Sequence, residues 1–310
     1  MLSLRQIRYF EALARHLHFG RAADECGVTQ PALSMQIRDM EERLRARLVE
    51  RTPSAVRLTP VGEGAAERAR ALLAAVSDFE RTIRDHGQLL QGRLRLGVIA
   101  SVGPYLLPRL LPEMARRHPK VEVSLRESLT DHLVTDLVQG DLDLAIVSLP
   151  LVHPALESRA VFDDPFVLAV PQSTAAAGFG GNVAHADQIR AEDLLLLEDG
   201  HCFRDQALNV CQRADARRLR RFGASSLSTL AQLVANGQGI TLLPELFVRA
   251  EGAHLPRVRL IPFAAPAPSR TIGLAWRRTL PFPEDIEAMA EMIAACQPGA
   301  DGGTLEDATE

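Results

Sequence analysis

Cys202 and Cys211 stand nine positions apart in the stretch LEDGHCFRDQALNVCQR. Two thiols can be oxidised and joined, so their spacing decides what chemistry is open to them. Phe203 to Val210 contains no Gly or Pro and reads as helix, a form that turns about 100° and rises about 1.5 Å per residue. Nine such steps put the sulfurs on opposite sides of the helix and roughly 13 Å apart along it, beyond the Cα separation of about 7 Å that a disulfide tolerates. Either the two are unrelated thiols, or they meet only when the helix between them is lost. Cys26 and Cys296 have no comparable setting and are expected to be ordinary buried or half-buried thiols. The chain has no C-x-x-C and no Cys/His cluster with zinc spacing, so no metal and no cofactor is expected.

Other polar residues fall where ligands collect. Ser101 follows the strand-like RLGVIA, Thr130 follows VEVSLRES, His201 precedes Cys202, and Arg270 opens RTIGLAW. In open α/β sheets ligands gather at the carboxyl ends of strands and the N-termini of helices. Taken singly, each hydroxyl reads equally well as a helix N-cap. A cysteine at the start of a helix feels the positive end of its dipole, which favours the thiolate, the nucleophilic form of the residue.

The elements that hold these residues divide the chain. From Gly92 onward short apolar runs (RLRLGVIAS, VEVSLRES, DLDLAIV, FVLAV, LLLLE, GITLLP, RTIGLAW) alternate with helical segments. That alternation predicts parallel-sheet α/β architecture in two lobes joined by crossing strands, with a cleft between them. Lobe I is expected over about 91–163 and 268–296, the last part a helix from Pro283 to Cys296, and lobe II over about 164–267.

The first sixty residues are different. Leu4, Ile7, Phe10, Leu13, Ala14 and Leu17 recur at helical steps, a short helix fits Arg21 to Cys26, and GVTQPALSMQIRDMEERL follows. Gly27 suits the left-handed residue that ends a helix, Thr29 suits an N-cap, and Pro31 is tolerated in a first turn. This is a helix-turn-helix pattern, in which Ala23 and Leu33 pack the angle between the helices and the second helix enters the DNA major groove. Thr29, Gln30, Ser34 and Arg38 lie on or near its leading end, and LVERTPSAVRLTP reads as a two-stranded wing with Arg51 and Arg57 available to the DNA backbone. Ten arginines against seven acidic residues over 1–60 agree with a nucleic-acid partner, in a chain whose net charge is -4.

Thr59 and Pro60 then open a long helix whose Val61, Ala65, Ala69, Leu72, Val76, Phe79 and Ile83 keep coiled-coil spacing. It is expected to link the domains over 59–90 and to pair with a second copy, unless the stripe packs on its own domain. Arg5, Arg8, Glu11 and Arg15 interrupt any apolar run of a signal peptide, and no window has the length of a membrane span. A cytoplasmic protein is expected.

Residues 1–60, through FGRAADECGVTQPALSMQIRDMEERL and LVERTPSAVRLTPVG, resemble the DNA-binding domain of LysR-type transcriptional regulators. The pieces VGPYLLP, LEDGHCFRDQAL, RTIGL and GQGITLLP resemble, more narrowly, the hydrogen-peroxide sensors of that family. The likeness spans about 1–296 and leaves out AAAGFGGNVAHAD and the acidic, Gly-rich tail 297–310, which is expected to be disordered. It implies an all-α winged helix-turn-helix head (1–58) with a long linker helix, and a periplasmic-binding-protein-like two-lobe α/β regulatory domain (91–296). It implies a regulator and not an enzyme, a homotetramer built from homodimers, with promoter DNA, hydrogen peroxide, RNA polymerase and a cellular thiol reductant as partners and no membrane.

At the site, the likeness implies that Cys202 is the peroxide-reactive thiol and Cys211 the resolving one. Ser101, Thr130, His201, Asp205 and Arg270 would surround the peroxide, and Thr29, Gln30, Pro31, Ser34, Arg38 and Arg51 would meet DNA. The family usually has Thr where this chain has Ser101, so the hydroxyl is kept and the methyl that restricts its rotamer is lost. Two rival readings are a LysR-type regulator that senses a small metabolite in the inter-lobe cleft, and a thiol peroxidase, which would have no use for a DNA-binding head.

Overall fold

Leu13 and Phe10 have no exposed surface because the amphipathic run at the amino end folds as helix α1 (Leu4–His16) and lays its apolar face on α2 (Phe19–Glu25) and α3 (Gln30–Leu44). This is a computed structural model of the chain, and it describes residues 1–51, 55–84, 89–172, 183–189, 194–210 and 223–297. Cys211 and residues 298–310 lie outside that set. Contacts divide the chain into two compact units, Met1–Gly87 with Val138–Asp141, and Gln88–Leu137 with Leu142–Glu310.

In the first unit Ala23 and Leu33 are buried where α2 meets α3, and Gly27 holds φ +65 in the turn. The second helix begins at Phe19, two residues ahead of the expected Arg21, because His18 caps it by accepting from Arg21 N. The wing is an antiparallel pair, β1 (Val49–Arg51) with β2 (Val56–Leu58). Its base is tied on both sides. Glu41 of α3 accepts from Leu48 N at 2.7 Å and Val49 N at 3.0 Å. On the other side Thr59 caps α4 (Pro60–Arg84), accepting from Gly62 N at 2.9 Å while its hydroxyl donates to Arg47 O. A Cβ at Gly62 would stand 2.0 Å from Leu48 O, so only glycine lets α4 approach the wing this closely.

The predicted stripe along α4 divides. Ala69 joins the head core, Ala65 packs against it and Val76 is half-buried, whereas Val61, Leu72, Phe79 and Ile83 are exposed.

The second unit contains, among the described residues, a seven-stranded sheet of order β10-β6-β11-β5-β3-β4, with β9 also on β6. It is built from β3 (Arg93–Ile99), α5 (Gly103–Arg117), β4 (Glu122–Ser128), α6 (Thr130–Gln139), β5 (Leu144–Leu149) and the long β6 (Leu156–Pro171). There follow β7 (Leu196–Leu197), α7 (Cys202–Val210), β8 (Gly223–Ala224), α8 (Leu227–Ala235), β9 (Thr241–Pro244), α9 (Glu245–Glu251), β10 (Val258–Pro262), β11 (Ser269–Arg277) and α10 (Pro283–Ala295).

β3 pairs in parallel with β4 and β5, as a β-α-β order requires. β6 is the crossing strand. It pairs with β11 as far as Pro165 and with β9 and β10 from Phe166 onward. Leu94, Leu96, Val98, Leu144, Ile146 and Leu274 form the core of one half, and Leu168, Leu230, Leu242 and Leu243 that of the other. The LLLLE run contributes the two-residue β7, which pairs in parallel with β8, and a parallel bridge from Leu194 to Ile240.

Candidate functional site

α7 puts Cys202 at its first residue and is helical throughout CFRDQALNV. Phe203 turns inward and is buried, meeting Phe166 edge-on at 5.5 Å between ring centroids. Ala207, one turn on, is also buried, whereas Leu208 is only half-buried. The helical period explains the difference, since i and i+4 share a face and i+5 does not. Three polar contacts complete the seat of α7. Arg204 donates to Leu197 O at 2.9 Å and pairs with Asp199, and Gln206 Nε2 donates to Ser148 Oγ at 2.5 Å.

Cys202 is half-buried and lines a cavity of about 10 Å³ with Ser101, Ser128, Thr130 and His201. That volume suits one molecule of about water's size. Neither hydroxyl acts as the N-cap it could have been. Val102 is the N-cap of α5, Ser101 Oγ accepts from Arg270, and Thr130 Oγ1 is buried with no hydrogen-bond partner among the described residues. A buried hydroxyl without a partner is costly unless a ligand or water supplies one. Burial holds the His201 imidazole below its ordinary value, so at neutral pH it is an uncharged donor and acceptor.

Arg270 stands behind Ser101 and does not line the cavity. Its Nη1 donates to Ser101 Oγ at 2.7 Å and its Nη2 to Ser101 O at 3.0 Å, and its guanidinium carbon lies 5.4 Å from the Phe203 ring centroid. Asp205 is exposed on α7 and does not line it either. A larger cleft of about 170 Å³, lined in part by Ser101, Tyr105, Glu127, His201 and Glu251, adjoins the small cavity. Burial pushes the Tyr105 hydroxyl up to about 12. Burial also pushes the thiols of Cys26 and Cys296 up, away from the reactive form.

Sequence reasoning missed Asp164. Its carboxylate takes Arg270 Nε at 2.9 Å and Nη2 at 2.8 Å on Oδ2, and Leu246 N at 2.9 Å on Oδ1. Burial pushes this carboxyl up, opposed by Arg270 and Leu246 N. The signal was there: in a strand with period two, Asp164 shares a face with the core residues Phe166 and Leu168, where a carboxylate requires a partner.

In the head, Thr29, Gln30, Pro31 and Arg38 are exposed and Ser34 is half-buried. Thr29 is the N-cap of α3 but its side chain makes no cap bond, because Pro31 removes one of the N–H groups such a cap would use. Met35 on the same helix is exposed, and Arg45 and Arg47 lie beside Arg38, with Glu41 and Glu42, in a groove at the wing base. The backbone of Arg51 ends β1.

A helix-turn-helix head joined to a two-lobe α/β domain defines a ligand- or signal-responsive transcription regulator. Residues 4–63 match the family described as bacterial regulatory helix-turn-helix protein, lysR family, and residues 87–297 match the LysR substrate binding domain. The chain belongs to the LysR family. It is 41% identical over 298 residues to the DNA-binding transcriptional dual regulator OxyR of Escherichia coli (strain K12), covering 96% of this chain and 97% of that protein. Among solved structures, a full-length OxyR cysteine variant from Pseudomonas aeruginosa superposes with TM-score 0.76 at 34% identity, covering 96% of each chain. A hydrogen-peroxide-bound OxyR cysteine variant from Corynebacterium glutamicum gives 0.64 at 30% identity, covering 95% of this chain and 92% of that one.

Proposed function

We propose that this regulator binds promoter DNA and is switched by hydrogen peroxide through Cys202. The observation that carries the reading is Cys202 on the first turn of α7, beside a cavity of about 10 Å³ that also holds the unpartnered Thr130 hydroxyl. The Cys202 thiolate attacks one peroxide oxygen, the O–O bond breaks, and hydroxide leaves, which takes a proton to become water. Sulfur is oxidised by two electrons to a sulfenic acid. Donors from Ser101 and Thr130 hold the peroxide and meet the developing charge, His201 contributes a neutral imidazole, and Arg270 acts through Ser101. Asp205, exposed and away from the cavity, supports the site only through α7.

The Cys211 thiol then displaces water from sulfur, and a disulfide forms. With α7 intact, Val210 lies about 12 Å along the axis from Cys202. Cys211 is one Cα step of about 3.8 Å further on, which leaves more than the roughly 7 Å that a disulfide spans. The bond therefore requires α7 to unfold, withdrawing Phe203 from Phe166 and Arg270. Oxidation is thereby coupled to a change of fold, and each round consumes one peroxide per Cys202 unless a cellular thiol reductant recycles it.

On the DNA side, Thr29, Gln30, Ser34 and Arg38 read or grip the major groove, with Pro31 setting the helix entry and Arg51 on the wing. The exposed Leu72, Phe79 and Ile83 of α4 support pairing with a second copy, and hence a dimer and a tetramer that presents several heads to a promoter and to RNA polymerase. No helix among the described residues is long and apolar enough to cross a membrane, and a reducing cytoplasm suits a switch that rests as free thiols.

A slight excess of peroxide should remove two thiols per subunit and yield a Cys202–Cys211 crosslink in peptide mapping. Both thiols remaining free, while operator binding answers a small metabolite in the 170 Å³ cleft, would replace this reading with the metabolite one.

A further inference from the structure

The Arg270–Asp164 pair is the most buried ion pair among the described residues, with side chains 0% and 1% exposed. The two residues are register partners across β11 and β6, one position before β6 leaves β11 for β9 and β10. Asp164 takes two of the guanidinium's N–H groups on one oxygen and is itself anchored by Leu246 N. Planar and forked, the guanidinium has no freedom left to rotate once Nε and Nη2 are held. Nη1 is thereby aimed at Ser101 Oγ, 2.7 Å away, and Nη2 at Ser101 O.

This has a consequence for the Ser101 proton. A hydroxyl that accepts from Arg270 cannot also donate to it, since the guanidinium has no acceptor. The Ser101 proton must therefore point elsewhere; Ser101 lines both the small cavity shared with Thr130 and Cys202 and the adjoining cleft, and a peroxide bound beside Cys202 would be its acceptor in the first. Serine lacks the methyl that would restrict its rotamer, so the restriction comes from Arg270. Freed of Asp164, the guanidinium would retain the Phe203 ring face as a partner and could turn toward it.

We propose that Asp164 is a positioning residue which, through Arg270, fixes Ser101 Oγ as a proton donor to peroxide bound beside Cys202. The proposal rests on Cys202 being the peroxide-reactive thiol.

The test compares two reactions of Cys202 in the full chain: oxidation by hydrogen peroxide, followed as sulfenic acid formation in stopped flow, and alkylation by iodoacetamide. Alkylation needs access and a thiolate but no aimed hydroxyl. Asp164→Asn should slow oxidation at least about tenfold, the scale of losing an aimed donor, and leave alkylation within about twofold. Ser101→Ala should slow oxidation comparably, and adding Asp164→Asn to it should cost nothing more, because both remove the same donor. Ser101→Thr, whose methyl restricts the rotamer, should recover part of the Asp164→Asn loss.

Oxidation unchanged by Asp164→Asn, equal losses in both reactions, or multiplying losses in the double variant would each overturn the proposal. If Asp164→Asn does not fold, Ser101→Ala decides, and an undiminished oxidation rate there overturns it. A wild-type Cys202 that oxidises no faster than a free cysteine would remove the functional reading itself. That result differs from a fast wild type indifferent to Asp164, which would remove only the positioning role.

Discussion

Helices α3 and α7 both carry proposed functional residues at their N-terminal ends, and they are held in opposite ways. α3 has fifteen residues and is anchored along its length by buried Leu33, Ile37 and Met40. α7 has nine, with Phe203 and Ala207 as its buried residues and the Arg204 and Gln206 bonds beside them. On the proposed reading α3 must keep its geometry to meet the DNA major groove, and repeated apolar anchors do that. On the same reading α7 melts to join two cysteines, and being short and held at few points suits that, because local opening is drawn from regions with few buried contacts.

The largest effect that would break this contrast lies at Cys202. Cys202→Ser should abolish the peroxide response of operator binding and leave binding by the reduced form intact, as gel shifts with and without peroxide would reveal. A full response in that variant would move the sensing site elsewhere.

Next come the anchors. Phe203→Ala should cost the reduced second unit about 3–5 kcal/mol and Ile37→Ala should cost the head about 2–5 kcal/mol, both measurable by denaturant unfolding. Only Phe203→Ala should speed disulfide formation, since only it loosens α7. Unchanged kinetics there would mean that loss of α7 is not on the path.

Ser148→Ala, which strips Gln206 of its acceptor, should favour the opened helix by about 1 kcal/mol, a several-fold faster crosslink. In the head, Arg45 ends α3 at φ 50, a left-handed conformation that costs a side chain. Arg45→Gly should therefore raise head stability by about 1 kcal/mol in thermal unfolding. The smallest effect concerns pH. His201 titrates below its unfolded value because burial disfavours its charge. The unfolded chain then binds more protons as pH falls through about 6.5 and below, so stability should fall with it. His201→Gln should flatten that part of the profile.

Much of the head was legible because helical periodicity, Gly27 and the Thr59–Pro60 pair are local signals. α1, the turn and the start of α4 are where those residues predict them. At the sensor, the residues at strand ends were legible, and Ser101, Thr130, His201 and Cys202 do meet around one cavity. Asp164 precedes the apolar run FVLAV that marks the strand, and nothing local distinguishes it from its neighbour Asp163. Asp163 is in fact exposed and bonded to Thr271, while its neighbour carries the buried charge. Arg270, expected beside the peroxide, donates to Ser101 and does not itself line the small cavity. A strand residue's face follows from period two, but what stands opposite depends on which strand pairs with it.

The sequence by itself determined the helix-turn-helix head, the α/β order of the larger unit, and a thiol pair whose spacing forbids a bond across an intact helix. These follow from local periodicity and chain geometry, which need no partner. The tertiary structure decided that Phe203 packs on Phe166 and faces Arg270, that the cavity is small, and that Asp164 holds the arginine behind Ser101. These depend on contacts between residues about 40 to 170 positions apart, and no local signal specifies which strand will bring them together.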